Sequence, residues 1–363
     1  MALKFLYIDD EPEKTARGLI TKLDDKVNID FTIVQPLTWN QQKSKLIDKG
    51  GLNEFDGLLL DFKLQFSDDE DSEIKYSGAE LAQSVRNGSK SGAIKDIPIF
   101  LCSTEDFYIN LFDRTSKDLF DVKYKKEINL NTEDTQSEMI AFAEAYSTIS
   151  SNHKELETIL QKPIYANEDI EILKTELNCF QTPHEWVYLI NNYCIQSAGL
   201  LIDENLLAIR LGIDRIKSKK WDILKNEFLL KCRYEGILSG FYSRWWQFEL
   251  NNWWYENFDK SLIVLNADER VNFLNEKFGL DLVAIQSAEH QQYSTFWYKC
   301  RLSDIALDST DGLRTIEMPR YVWQEPTYIS LSYLLSDERD IELAYSLLGP
   351  NERQIFEELD DQS

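Results

Sequence analysis

Over the first third of the chain, short apolar runs alternate with stretches whose apolar residues recur at helical spacing. The runs Lys4 to Ile8, Asp30 to Val34, Gly57 to Asp61, Ile97 to Cys102 and Asp121 to Lys125 predict five strands. LLL within the third and IPIFLC in the fourth are apolar without a break, as in strands covered on both faces. Between them, Ala16, Leu19, Ile20 and Leu23 make one helical stripe, Ala79, Leu81, Ala82 and Val85 a second, and Met139, Ile140, Ala143 and Tyr146 a third. Strand and helix in alternation, joined by right-handed crossovers, predict an α/β fold with a doubly wound, five-stranded parallel sheet.

In such sheets ligands bind beyond the carboxyl ends of the strands. The distinctive polar residues all fall there: Asp9, Asp10 and Glu11 after strand one, Asp61 at the end of strand three, Ser103 and Thr104 after strand four, and Lys125 and Lys126 at strand five. Crowded carboxylates call for a cation, and oxygen-only ligands suit Mg2+, with Asp10 and Asp61 as the predicted ligands. A carboxylate beside Mg2+ and a lysine can attack phosphorus, because both cations offset the charge that builds on the equatorial oxygens. Lys125 is the predicted lysine, and Ser103 the predicted donor to a phosphoryl oxygen.

The segments FLYIDDE, FDGLLLDFKL, IPIFLCST and FDVKYKK, each at a strand end and in this order, resemble the receiver domain of two-component response regulators. The resemblance implies a flavodoxin-like fold, Mg2+ held by Asp9, Asp10, Asp61 and the backbone carbonyl of Lys63, and phosphorylation of Asp61. It also implies Ser103, Thr104 and Lys125 as the phosphoryl-binding and switch residues, and a histidine kinase or phosphotransfer protein as the donor. The implied activity is self-phosphorylation at Asp61 followed by slow autodephosphorylation. Three positions depart from the family's pattern: Lys126 stands where Pro is usual, Thr104 where Ala is common, and Val122 where many members carry an aromatic. The acidic run SDDEDSE, Ser67 to Glu73, lengthens the connection after Asp61 and reads as a solvated insertion.

At 363 residues the chain is long for one core, which predicts two domains. Thr132 to Leu160 reads as one helical stretch, and Pro163 interrupts it. The expected division is a receiver domain at 1–150, a helical linker at 151–165, and a mainly helical α+β domain at 166–363 that is acidic and rich in Trp. In that part Trp186, Leu189, Ile190, Tyr193 and Cys194 fall at helical spacing, Leu224, Phe228, Cys232, Gly236 and Gly240 continue the theme, and SLIVLN, LDLVAIQ and TFWYKC read as short strands. The net charge of −24 repels phosphate backbones, so no nucleic-acid partner is expected. No run approaches the ~20 apolar residues a bilayer needs, and the N-terminus lacks a signal peptide. Five scattered cysteines fit a reducing compartment, so the expectation is a cytoplasmic protein without membrane contact.

Trp245, Trp246, Trp253 and Trp254, in the segment SRWWQFELNNWWYENF, are candidate partner-binding residues, since Trp dominates interface hot spots. Adjacent residues on a helix cannot face the same way, so one of Trp245 and Trp246 is expected to meet a partner or an interdomain surface. Catalytic candidates are thin: His184 with Glu185, and Cys300 with His290. DSTDG at Asp308 to Gly312 reads as a turn rather than a calcium loop. Two functions fit: a phosphoacceptor that signals through an unknown output protein or acts as a phosphate sink, as in bacterial anti-phage kinase, buffer and effector trios, or an enzyme in the C-terminal domain switched by phosphorylation.

Overall fold

The computed structural model describes residues 2–67, 73–104, 118–152, 155–162 and 167–360. The chain forms two compact units, the first from Met1–Asn191 with Glu235–Tyr242, the second from Asn192–Tyr234 with Ser243–Ser363.

In the first unit, β1 (Leu3–Ile8), β2 (Ile29–Val34), β3 (Gly57–Asp61), β6 (Ile99–Ser103) and β7 (Val122–Lys125) form the expected five-stranded sheet, in the order β2-β1-β3-β6-β7 with every pair parallel. The unit is α/β. The chain moves outward from β1 in both directions, so the crevice opens at the carboxyl ends of β1 and β3. Alternation along the strands splits the core in two. Leu6, Ile8, Leu58, Leu60 and Leu101 pack on one face against Leu81, Ala82 and Val85 of α3 (Gly78–Lys90). On the other face Phe100 meets Phe142 of α4 (Glu133–Ser151) edge to face, with ring centroids 5.9 Å apart.

The insertion after Asp61 is an antiparallel hairpin, β4 (Lys63–Ser67) paired with β5 (Glu73–Ser77), and the acidic residues 68–72 lie outside the described residues. At its base Tyr76 donates to the Leu37 carbonyl at 3.0 Å and packs edge to face on Trp39 of α2 (Trp39–Lys43). The hairpin passes directly into α3, which starts on a reciprocal cap between Ser77 and Glu80.

The stretch read as one helix is two, α4 and α5 (Leu156–Leu160). The first unit continues through α6 (Glu168–Leu177) and α7 (Pro183–Ile190), so the linker expected at 151–165 falls inside it. A buried ionic clasp explains this. Asp96 Oδ2 accepts from the His184 backbone N–H and pairs with His184 Nδ1, both at 2.8 Å. Its Oδ1 pairs with Arg86 at 3.1 Å; Arg86 also binds Asp121 Oδ2 at 2.8 Å, and the Tyr146 hydroxyl donates to Asp121 Oδ1 at 2.7 Å. Composition changes at Pro163, but contacts of this kind leave no trace in composition.

The second unit combines helices with two-stranded pieces. Trp245 and Trp246 lie on a short strand paired with Leu201–Ile202, not on a helix, and both are buried, at 2% and 1% exposure. Trp253 and Trp254, on the helix Gln247–Phe258, are also buried. All four are core residues, and the reading of them as partner-binding candidates is corrected. The reason is physical: in this segment apolar burial outweighs any exposed use of large aromatic surface. SLIVLN forms a 3-10 turn at Leu262–Val264 rather than a strand, and LDLVAIQ forms only a bridge from Ala284 to Ile213. Side chains supply what a partner strand would: Arg270 Nε donates to the Leu262 carbonyl at 3.1 Å, and the Asn275 amide bonds both the N–H and C=O of Leu282. Gly236 and Gly240, read as part of a helix, lie in the strap Glu235–Tyr242 of the first unit. No described helix is long and apolar enough to cross a membrane.

Candidate functional site

Asp9 follows β1 and is fully buried. Its Oδ1 accepts the Glu11 N–H at 2.9 Å, while Oδ2 accepts from the Tyr7 hydroxyl and from Lys126 Nζ, the latter at 2.9 Å. Asp61, at the end of β3 and 6% exposed, accepts the Phe62 N–H at 2.9 Å and lies 3.1 Å from Lys126 Nζ through the same Oδ1. Below them Cys102 Sγ sits 3.6 Å from the Tyr7 hydroxyl. Asp10 is half-buried beside this group.

The electrostatics follow from burial. Loss of water pushes the Asp61 carboxyl up to about 7, even with Lys126 beside it. Burial, then the charge of Asp9, raises Asp10 as well. Burial works against the Lys126 ammonium, but the neighbouring carboxylates of Asp61 and Asp9 outweigh it and hold Lys126 charged. Burial drives the Cys102 thiol and the Tyr7 phenol upward, so both stay protonated and able to donate. Asp9, Asp10 and Asp61 face Lys126, with Lys63 also acting on Asp10, and three carboxylates against two ammonium groups leave the edge short of positive charge. That deficit fits a divalent cation, and ligand atoms of Asp9, Asp61 and Cys102 lie within 4.8 Å of one another.

The lysine here is Lys126, not Lys125. Strand register gives the reason. Asp61 is opposite Cys102, and Cys102 opposite Tyr124, so these residues share a face. Two residues beyond Tyr124 comes Lys126, whereas Lys125 is opposite Ser103 on the alternate parity. Ser103 is buried and donates to the Thr104 carbonyl at 3.2 Å; Thr104 is half-buried, and no hydrogen bond joins either to Asp61 among the described residues. Lys63 opens β4, opposite Ser77.

Two residues at the site had no signal in the pattern. Tyr7 reads as one more apolar strand position, and only its parity with Asp9 betrays it. Gly78 opens α3 against the backbone of Asp61, where an added Cβ would lie 2.4 Å from the Asp61 carbonyl oxygen. Only glycine lets α3 begin that close.

The remaining candidates have structural duties. Glu185 caps its own helix at Thr182, and His184 serves the clasp with Asp96. Cys300 is buried and accepts the Ser330 N–H, while His290 is exposed beside Glu289. Asp308 caps the turn Ser309–Asp311, as its sequence suggests.

No family model matches the chain, and no curated protein sequence matches it. Among solved structures it is similar to the crystal structure of adenylate cyclase from Rhodopirellula baltica, with 13% identity and a TM-score of 0.31 over 43% of this chain and 98% of that chain.

Proposed function

We propose that the first unit is a receiver-type phosphoacceptor and that Asp61 takes the phosphoryl group. The observation that carries this reading is the position of Asp61: a buried carboxylate at a strand end, 3.1 Å from an ammonium that also binds Asp9. A carboxylate oxygen of Asp61 attacks phosphorus, the bond from phosphorus to the donor's imidazole nitrogen or acyl oxygen breaks, and that atom leaves with the electron pair. Lys126 offsets charge on the transferred oxygens. Asp9 and Asp61 would supply carboxylate oxygens to Mg2+, with Asp10 and the Lys63 carbonyl as the further donors the receiver resemblance implies; when bound, Mg2+ would neutralise phosphoryl charge.

The donor is proposed to be a histidine kinase or phosphotransfer protein, and the product signals through protein contacts or serves as a phosphate sink. The net charge of −24 supports output without nucleic acid. Incubation with acetyl phosphate and Mg2+, followed by intact-mass measurement, tests the reading. Wild type should gain a phosphoryl group and Asp61→Ala, folded by circular dichroism, should not; equal labelling of the two, or none in wild type, would sink it.

A further inference from the structure

The strap Glu235–Tyr242 packs within the first unit although the residues before and after it belong to the second. Among the described residues, two hydrogen bonds fasten it. The Tyr242 hydroxyl donates to Glu138 Oε1 on α4, and the Ile237 N–H donates to the Ile159 carbonyl at 3.0 Å. Between these points Leu238 is held at φ 66, a left-handed conformation that a residue with a Cβ adopts only under constraint. Beneath lies a cavity of about 180 Å³, lined by Glu144 and Thr148 of α4, by Thr158 and Gln161, and by the strap itself. The strap is therefore pinned, strained and incompletely packed.

The pin at Glu138 is shared. Its second oxygen accepts from the Tyr124 hydroxyl on β7 at 2.9 Å. Tyr124 is buried, its ring is stacked on Phe100, and it stands two residues before Lys126 on the face that carries Asp61. A continuous path thus runs from Asp61 through Lys126, the end of β7, Tyr124 and Glu138 to Tyr242.

We infer that docking of the strap is coupled to the state of the Asp9, Asp61 and Lys126 cluster, so that the strap regulates this site and is regulated by it. The physiological input rests on the proposed acceptor role; the coupling itself rests on these side chains. Altered charge at Asp61 redirects Lys126, shifts the end of β7, and changes how Glu138 divides its oxygens between Tyr124 and Tyr242. Linkage makes the effect reciprocal: a released strap changes what Asp61 binds by the same factor.

Hydrogen exchange read by mass spectrometry on the full chain tests this without any phosphoryl donor. Tyr242→Phe should speed exchange of the 235–242 amides roughly tenfold, the loss of about one hydrogen bond, and so calibrates the released strap. Lys126→Gln and Asp61→Asn should speed the same amides, while Lys125→Gln matches wild type. Wild-type strap exchange in both site variants, or acceleration spread evenly over the first unit, would overturn the coupling. If Lys126→Gln does not fold, the nearly isosteric Asp61→Asn decides alone. Failure of Asp61 to label with acetyl phosphate would remove the acceptor reading and leave this result standing.

Discussion

Lys126 Nζ binds Asp61 Oδ1 at 3.1 Å and Asp9 Oδ2 at 2.9 Å, so one ammonium serves two buried carboxylates. Removing its charge takes away the group aimed at the transferred oxygens. Lys126→Gln should lower the rate of Asp61 labelling by roughly 100-fold or more, the usual cost of a preorganised electrostatic partner. Lys125→Gln should stay within about threefold of wild type, since Lys125 lies opposite Ser103, on the strand parity that does not carry Asp61. Comparable losses in the two variants would contradict the assignment.

That pair also marks how far the sequence can be read. Uninterrupted apolar runs locate the sheet, because strands covered on both faces must be apolar throughout. Asp9, Asp10 and Asp61 stand out because carboxylates at strand ends are costly without a cation. Choosing between Lys125 and Lys126 needs the register of β7 against β6, which fixes parity and which no local pattern states. The tryptophans mislead for a related reason: a Trp suits a core and an interface equally, and Trp245 and Trp246, on opposite faces of their strand, are both buried because each face is covered, Trp245 by the core of the second unit and Trp246 by Tyr234.

Burial gives Asp61 an unusual pH signature. Its carboxyl sits at about 7 when folded, against an ordinary value near 4. Between those two values the folded protein keeps a proton that the unfolded chain has lost, so stability falls as pH rises through this window and levels off above it. Compared with Asp61→Asn, wild type should lose on the order of 2–4 kcal/mol between about pH 4 and pH 8. Urea unfolding of both proteins across the range checks this; a constant difference between them would refute it.

Arg86 is buried between Asp96 and Asp121. Arg86→Met leaves both carboxylates without their cation and should cost about 3–5 kcal/mol in unfolding of the first unit. His184→Ala removes the ring contact but keeps the backbone bond to Asp96, and should cost about 1–3 kcal/mol. Losses below about half a kcal/mol in both, within the usual range of surface substitutions, would rule out the clasp as what holds α7 in this unit.

Trp254 is fully buried, and its Nε1 has no hydrogen-bond partner among the described residues. Trp254→Ala should cost about 3–5 kcal/mol through the void it leaves. Trp254→Phe should cost far less, because it also removes a buried donor that nothing accepts. A variant as stable as wild type yet deficient in partner capture would restore the surface reading.

Gly78 lets α3 start against the Asp61 carbonyl. Gly78→Ala should displace Asp61 and cut its labelling by at least roughly tenfold, since misplacement by about an ångström has large effects on reactivity. Normal labelling with normal stability would mean that the backbone can retreat there at no cost.

The hairpin β4–β5 leaves the sheet immediately after Asp61 and returns so closely that the Gly78 N–H bonds the Phe62 carbonyl at 2.9 Å. Its two ends are therefore tied to each other, and its outer part is topologically a detour. Leu64 and Tyr76 next to that tie belong to the core, but the number of residues between them can change without altering where β3 ends at Asp61 or where α3 begins. An affinity tag or fluorophore could be spliced in there while the sheet keeps its register.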